Sequence, residues 1–426
     1  MSENERLSND SPSVAIIIAL YYTINRPKEF VKIKCSTIER GMSMLLKNAV
    51  ILRENGEFSQ GDLRIKGEVI DAIGQLDVQA DEPVHDLNGA YLIPGLIETH
   101  FHGAMGLDCS LGTREPFEAF SHYMAERGIT SYVPALISSS DEVTERYIEA
   151  GNAYMAQPAP GAQMVGFYLE GPFLSHKYKG AHDPNVLQLP SLEKFRHWYQ
   201  LAGGKILKTV VAPELEGAEE LIRWSSSNGV AVEIGHSAAT YEQAMKAIDW
   251  GATLSTHLFN AMTPLHHRDP GIPGAVLTDP RVNCELIADL GHVAPAVVKL
   301  VCMAKGADGI NLISDSCTAA GVSDGEYIQP DGRKIIVKDG LARLENGTIM
   351  GSASSILDGV RNLVSLGIDL AVAVRMASAN PARSIGLSDR GVIAKGKRAD
   401  MAVLDKNLHV LCTFVDGKKV YNVEES

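Results

Sequence analysis

Eight short apolar runs recur through the middle of this chain, each separated from the next by a helical stretch that carries charges. They are LIPGLIETH (92–100), SYVPALIS (131–138), QMVGFYLEG (163–171), ILKTVVAPE (206–214), GVAVEIGH (229–236), ATLSTH (252–257), NCELIAD (283–289) and INLISD (310–315). Apolar runs alternating with helices read as parallel strands covered on both faces. Eight such units closed in a ring make a (β/α)8 barrel, with its active site at the C-terminal ends of the strands. The expected fold is therefore α/β, a TIM-type barrel over residues 92–388.

The two ends of the chain have a different texture. Residues 44–91 (NAVIL, GDLRIKGEVIDAIG) and 389–426 (RADMAVLDKNLHVLCTFVDGKKVYN) are short strands broken by turn signals. They are expected to pair into one small flanking β-sandwich domain built from both ends. Residues 1–43 read as an extension, either disordered or not part of the native start. Its apolar stretch VAIIIALYY (14–22) is too short to span a bilayer.

Composition narrows the partners. A formal charge of −13, with no run rich in Lys or Arg, argues against a nucleic-acid surface. Six cysteines lie far apart at 35, 109, 284, 302, 317 and 412 without a CxxC pair. That spacing reads as thiols in a reducing, cytoplasmic compartment rather than a disulfide frame. With 426 residues there is room for an enzyme acting on a small molecule.

The chemistry lies at the ends of the runs. His100 and His102 close the first, Glu170 the third, His236 the fifth, His257 the sixth and Asp315 the eighth. In a strand, side chains two apart share a face, so His100 and His102 aim at one place and Phe101 away from it. Any one of these histidines alone would more often be a hydrogen-bonded interior residue. Glu170 is harder to dismiss, because a carboxylate ending a strand as apolar as MVGFYL needs a cation or strong donors. Together the six form a nitrogen and oxygen set suited to a divalent metal (Zn, Fe, Co or Mn), one or two ions.

The order HFHG, LEGPF, KGAHDPN, GHSAATYEQA, THLFNAM, HHRDPG, IADLGHV and SDSCTAAG resembles the N-acetylglucosamine-6-phosphate deacetylase family of the amidohydrolase superfamily over nearly all of residues 44–426. The resemblance implies removal of the acetyl group from a phosphorylated amino sugar. It implies Glu170, His236 and His257 as ligands of the main metal, and His100 and His102 as the pair that completes a second site with Glu170 bridging. Asp315 matches the catalytic aspartate, which takes a proton from the attacking water and returns it to the departing amine. Arg268 and His292 would contact the 6-phosphate, helped by the backbone at Asn260 and Ala261. Ala181 and His182 would line the sugar and its carbonyl, and Met350 and Gly351 a substrate loop. The family also implies a homodimer in which Arg268 reaches the neighbouring subunit's site.

Two loops depart from the family pattern. Relatives commonly read Ala-Asp-Gly-x-His where this chain has ADLGH, with Leu290 and Gly291 exchanged, and Ser316 and Cys317 stand where small residues are usual. His266 and His267 read as loop residues rather than metal ligands, and SSSN (225–228) as a helix-to-strand turn. Three alternatives stay open: the same reaction on N-acetylgalactosamine 6-phosphate, another deacylase of the superfamily, and a non-catalytic barrel. Many of those other deacylases bridge their metals with a modified lysine on the fourth strand, which here ends VVAPE.

Overall fold

The computed structural model describes residues 43–329 and 332–423. The extension expected over residues 1–43 lies outside the described residues, except for Ser43, which opens the first strand of the flanking sheet.

Each of the eight runs forms a barrel strand: β1 (Leu96–Phe101), β2 (Ile129–Ile137), β3 (Phe167–Glu170), β4 (Ile206–Val211), β5 (Ala231–Ile234), β6 (Leu254–Ser255), β7 (Asn283–Ile287) and β8 (Ile310–Ile313). All neighbouring pairs are parallel, from β1 with β2 through β7 with β8. The ring draws together past the last strand, where the Asp315 N–H donates to the His100 carbonyl at 2.9 Å and Phe101 bridges Ser316. The strands are buried along nearly their whole length because helices cover the outside of the ring and side chains fill the inside.

A helix follows each strand, from Arg114–Ala125 after β1 to Ile356–Ser365 after β8. Their starts carry the expected chemistry. Thr240 with Gln243, and Ser355 with Asp358, form reciprocal capping boxes that satisfy otherwise orphaned N–H groups. SSSN forms the last turn of helix Ala218–Ser227 and its cap, just before β5.

The flanking domain is one eight-stranded mixed sheet drawn from both ends of the chain. Tyr91–Pro94 sits at its centre, parallel to Ser43–Leu52 and antiparallel to Met401–Leu404. Its apolar face carries a separate core of Met44, Leu46, Ile51, Leu63, Ile65, Leu92, Met401 and Val403. After Pro94 the chain passes directly into β1.

One sheet was not anticipated. Between β8 and its helix, Gly325–Ile328, Lys334–Lys338, Leu341–Leu344 and Ile349–Ser352 pair into a four-stranded antiparallel sheet. Its central hairpin turns at Asp339 and Gly340, with φ of 52° and 78°. Positive φ at both central residues marks the two-residue turn that Asp-Gly favours.

Candidate metal centre and active site

Side-chain alternation along β1 does what the sequence suggests. Phe101 turns into the core, its ring 5.2 Å from Phe120 and 5.7 Å from Tyr132 in edge-to-face packing. His100 and His102 project to the other side, with ring centroids 5.3 Å apart. Glu170, the last residue of β3, meets them there. Gly171 follows with φ +116°, and a Cβ at that position would lie 2.0 Å from Ser138 Oγ, so only glycine allows the chain to turn this close to β2.

Glu170 is the hub of the cluster. Its Oε1 lies 3.1 Å from both His236 Nε2 and His257 Nε2, and its Oε2 lies 3.1 Å from His102 Nε2. Asp315 Oδ1 is 3.2 Å from His102 Nε2 and 3.5 Å from His100 Nε2. His236, His257 and Asp315 sit just past their strands with φ of 44°, 22° and 48°. Left-handed backbone at non-glycine residues costs about 1–3 kcal/mol each and persists where the surroundings impose it, typically at functional sites.

The imidazoles are held from behind. His236 Nδ1 pairs with the Tyr178 carbonyl at 3.0 Å and His102 Nδ1 with the Ala135 carbonyl at 2.9 Å. His100 Nδ1 pairs with Glu285 Oε2 at 2.7 Å. Acceptors at Nδ1 put the proton there and leave the Nε2 lone pair facing inward. His100 Nε2 is fully buried and has no hydrogen-bond partner among the described residues. His236 Nε2 and His257 Nε2 face each other at 2.9 Å. Converging lone pairs and carboxylate oxygens fit a cation. Two groups of three, Glu170 with His236 and His257, and His100 with His102 and Asp315, each have one ligand atom per residue within 4.8 Å of the others.

The electrostatics agree. Burial would raise Glu170, yet His100 and His102 hold it well below the usual carboxylate range. Burial likewise opposes ionisation of Asp315, and the same two histidines lower it. His102 would be pushed down by burial, but Glu170 and Asp315 raise it to about 10. The carboxylates demand positive charge, which protons or a metal can supply.

His182 stands beside this cluster. Its Nδ1 accepts from the Ser138 backbone N–H at 3.2 Å and contacts Ser138 Oγ at 2.7 Å, and its Nε2 lies 3.4 Å from Glu170 Oε2. Burial, and then His236, depress its pKa to about 4, so it is a neutral imidazole whose donor is Nε2–H. The Ala181 carbonyl next to it accepts from Arg333 at 2.7 Å. Arg333, just ahead of strand Lys334–Lys338 of the unanticipated sheet, was not picked out in the sequence.

The remaining residues spread around the mouth. The Asn260 side chain donates to the His257 carbonyl at 3.2 Å, and the Ala261 carbonyl accepts from the Ser237 N–H at 3.2 Å. The first braces the loop after β6 internally, and the second ties that loop to the one carrying His236. His292 is clamped to Asp289: Nδ1 to Oδ2 at 2.7 Å, and its backbone N–H to Oδ1 at 2.9 Å. Leu290 takes the left-handed conformation (φ 64°), which glycine adopts more readily than leucine. Met350 and Gly351 lie on the last strand of the inserted sheet, where Ser352 N–H donates to the Asp315 carbonyl at 2.9 Å. Arg268 is exposed, and its hydrogen bonds stay within its loop, to His266 and His267. Those two histidines are exposed as well, their ring centroids 4.2 Å apart and their planes tilted by 45°.

The sequence reading passed over Glu98, Lys208, Glu233 and Glu285, all buried inside the barrel. Each is a charge in the middle of an otherwise apolar run, and that pattern was the available signal. Glu214, at the end of VVAPE, accepts from Ser237 Oγ and the Ala238 N–H, both at 2.6 Å, and so fixes the loop that carries His236.

Comparison with known proteins places this geometry in a lineage. Residues 91–423 match the sequence pattern of the Amidohydrolase family. The chain is 35% identical over 379 residues to an N-acetylgalactosamine-6-phosphate deacetylase of Escherichia coli O157:H7, covering 88% of this chain and 99% of that one. It is 32% identical over 380 residues to an N-acetylglucosamine-6-phosphate deacetylase of Lysinibacillus sphaericus, covering 88% and 97%. Among solved structures, a variant of the Mycobacterium smegmatis N-acetyl-D-glucosamine-6-phosphate deacetylase in complex with N-acetyl-D-glucosamine-6-phosphate superposes with a TM-score of 0.83 at 34% identity, over 90% of this chain and 100% of that one. With the barrel, the flanking sheet and the ligand cluster already in view, the match over most of the chain establishes that this protein belongs to the amidohydrolase family.

Proposed function

We propose that this protein hydrolyses the acetamide of N-acetyl-D-glucosamine 6-phosphate to D-glucosamine 6-phosphate and acetate, using one or two divalent cations (zinc, iron, cobalt or manganese). The observation that carries this reading is the convergence of four imidazoles and Asp315 on Glu170 at the strand ends, in a chain whose relatives bear that name. A cation bound there supplies Lewis acidity and lowers the pKa of attacking water from 15.7 to about 7. Glu170, His236 and His257 would hold the first, and His100, His102 and Asp315, beside Glu170, the second.

The protein's own groups do the rest. Asp315, kept ionised by its neighbours, takes a proton from the attacking water and delivers it to the amine nitrogen as the C–N bond breaks. His182, neutral with its donor on Nε2, is suited to hydrogen-bond the acyl oxygen where negative charge develops. Arg268 and His292, with the backbone at Asn260 and Ala261, bind the 6-phosphate; a guanidinium matches phosphate oxygens with a two-pronged fork. Ala181, Met350 and Gly351 line the sugar. The family resemblance implies a homodimer in which Arg268 reaches the neighbouring subunit's site, and an exposed Arg268 bonded to His266 and His267 is compatible with that reach; the cytoplasm is the compartment proposed for it.

Acetate release from metal-supplemented protein tests the reading, with N-acetylglucosamine 6-phosphate, its galactosamine epimer and unphosphorylated N-acetylglucosamine compared in parallel. Strong preference for the first is expected. The Escherichia coli relative favours one second reading, the galacto epimer; preference for that substrate keeps the mechanism and moves the specificity. No release from any of the three, with metal bound, refutes the proposal.

A further inference from the structure

Beneath the cluster, the barrel interior holds charge where such barrels normally carry branched apolar side chains. Lys208 on β4, Glu233 on β5 and Glu285 on β7 are all fully buried. Lys208 Nζ lies 3.0 Å from Glu233, pairs with Glu285 Oε1, donates to the Thr99 carbonyl at 3.1 Å and sits 4.4 Å over the Tyr168 ring. Burying these ions costs several kcal/mol apiece, and well-packed apolar side chains often serve stability as well or better. The charge therefore needs a reason beyond the fold.

Glu285 supplies one. Its Oε1 faces the ammonium below, and its Oε2 faces upward, 2.7 Å from His100 Nδ1, 3.3 Å from Thr256 Oγ1 and 3.4 Å from the His257 N–H. His102 and His236 rest their Nδ1 on neutral carbonyls, whereas His100 has an ionised partner. A carboxylate behind an imidazole fixes its tautomer and strengthens the opposite nitrogen as a donor. That opposite nitrogen, His100 Nε2, is one of the buried side-chain atoms without a hydrogen-bond partner among the described residues.

We infer that Glu285 is a positioning residue for the cation held by His100, His102 and Asp315, and that Lys208 anchors it in that role. The inference rests on reading the cluster as a two-cation site. Glu285→Gln is a sharp test because of the pairing below it. The amide oxygen must face the Lys208 ammonium, which turns the NH2 toward His100 Nδ1. His100 then accepts at Nδ1, carries its proton on Nε2, and cannot ligate.

The experiment strips the full-length protein of metal, reloads it with zinc, counts ions per chain by elemental analysis and measures affinity by chelator competition. Wild-type protein is expected to take up two ions. Glu285→Gln is expected to keep the first with unchanged affinity and bind the second 10- to 100-fold more weakly. Combining it with His100→Gln should cost no more than His100→Gln alone. Two ions at wild-type affinity in Glu285→Gln overturn the inference while leaving the cation site intact. A single ion in the wild type also overturns it, and no zinc at all in the wild type overturns the metal reading with it. Should the buried amide unfold the barrel, long-range proton–nitrogen spectra of zinc-loaded wild-type protein decide, with His100 assigned by its absence in His100→Gln. A proton on Nδ1 supports the inference and a proton on Nε2 overturns it.

Discussion

Asp315 illustrates how much one residue is asked to do. Its carboxylate is buried, faces His100 and His102, and is carried on left-handed backbone whose N–H is tied to the His100 carbonyl and whose carbonyl is tied to Ser352. Asn in its place keeps the shape and loses the proton acceptor. Asp315→Asn is expected to lower kcat by about 10²- to 10⁴-fold, the usual worth of a general base, with KM within a few-fold. Acetate release measured beside zinc content checks this; a loss confined to KM would assign Asp315 to binding instead. The residues that surround Asp315 were legible because each is a polar residue ending an apolar run. Lys208, Glu233 and Glu285 were not, since one charge inside ILKTVV or NCELI leaves the run reading as a strand. Nor can a sequence say which of two nitrogens on His100 carries the proton, because that depends on Glu285, 185 positions away along the chain.

At the scale of elements, the barrel was legible and the inserted sheet was not. Eight apolar runs suffice for a count, because a parallel strand buried on both faces leaves no polar alternation to confuse it. The inserted sheet is partly exposed and is punctuated by Asp-Gly and Asn-Gly pairs, which are hairpin signals once a sheet is looked for. Its last strand matters to the chemistry. A Cβ on Gly351 would lie 2.9 Å from the Asp315 carbonyl oxygen and 3.1 Å from Cys317 Cβ. The nearer atom is backbone, so Gly351→Ala has to move the loop that carries Asp315. A displacement of about 1 Å can cost up to about 10²-fold in rate, so a kcat loss of about 10-fold or more is expected, with the thermal midpoint little changed. Steady-state kinetics and a melting curve on the same sample distinguish this from simple destabilisation, in which rate and midpoint fall together.

The whole molecule joins both ends of the chain through the flanking sheet, and that sheet carries its own ionic tie. Arg64 and Glu82 are buried against each other at 2.7 Å, and the hydrogen bond from Arg64 lowers Glu82 from 4.5 to about 2. A depressed carboxyl stabilises the fold fully above its unfolded value and loses that contribution as pH falls through its folded value. The difference in thermal midpoint between wild type and Glu82→Gln should therefore be constant above pH 4.5 and shrink as pH falls toward 2; a difference independent of pH would mean the tie is not ionic. The largest scale is the assembly. If Arg268 serves the neighbouring site, Arg268→Ala chains and Asp315→Asn chains are each nearly inactive on phosphorylated substrate alone, for different reasons. Unfolded together and refolded, half of the dimers pair one of each. In such a pair, the site with intact Asp315 receives intact Arg268 from its partner, while the other site has neither. Activity should return to about one quarter of wild type in an equal mixture, since half the dimers regain one of two sites. Arg268 acting within its own subunit gives no recovery, because every chain would then lack one of the two groups at its own site.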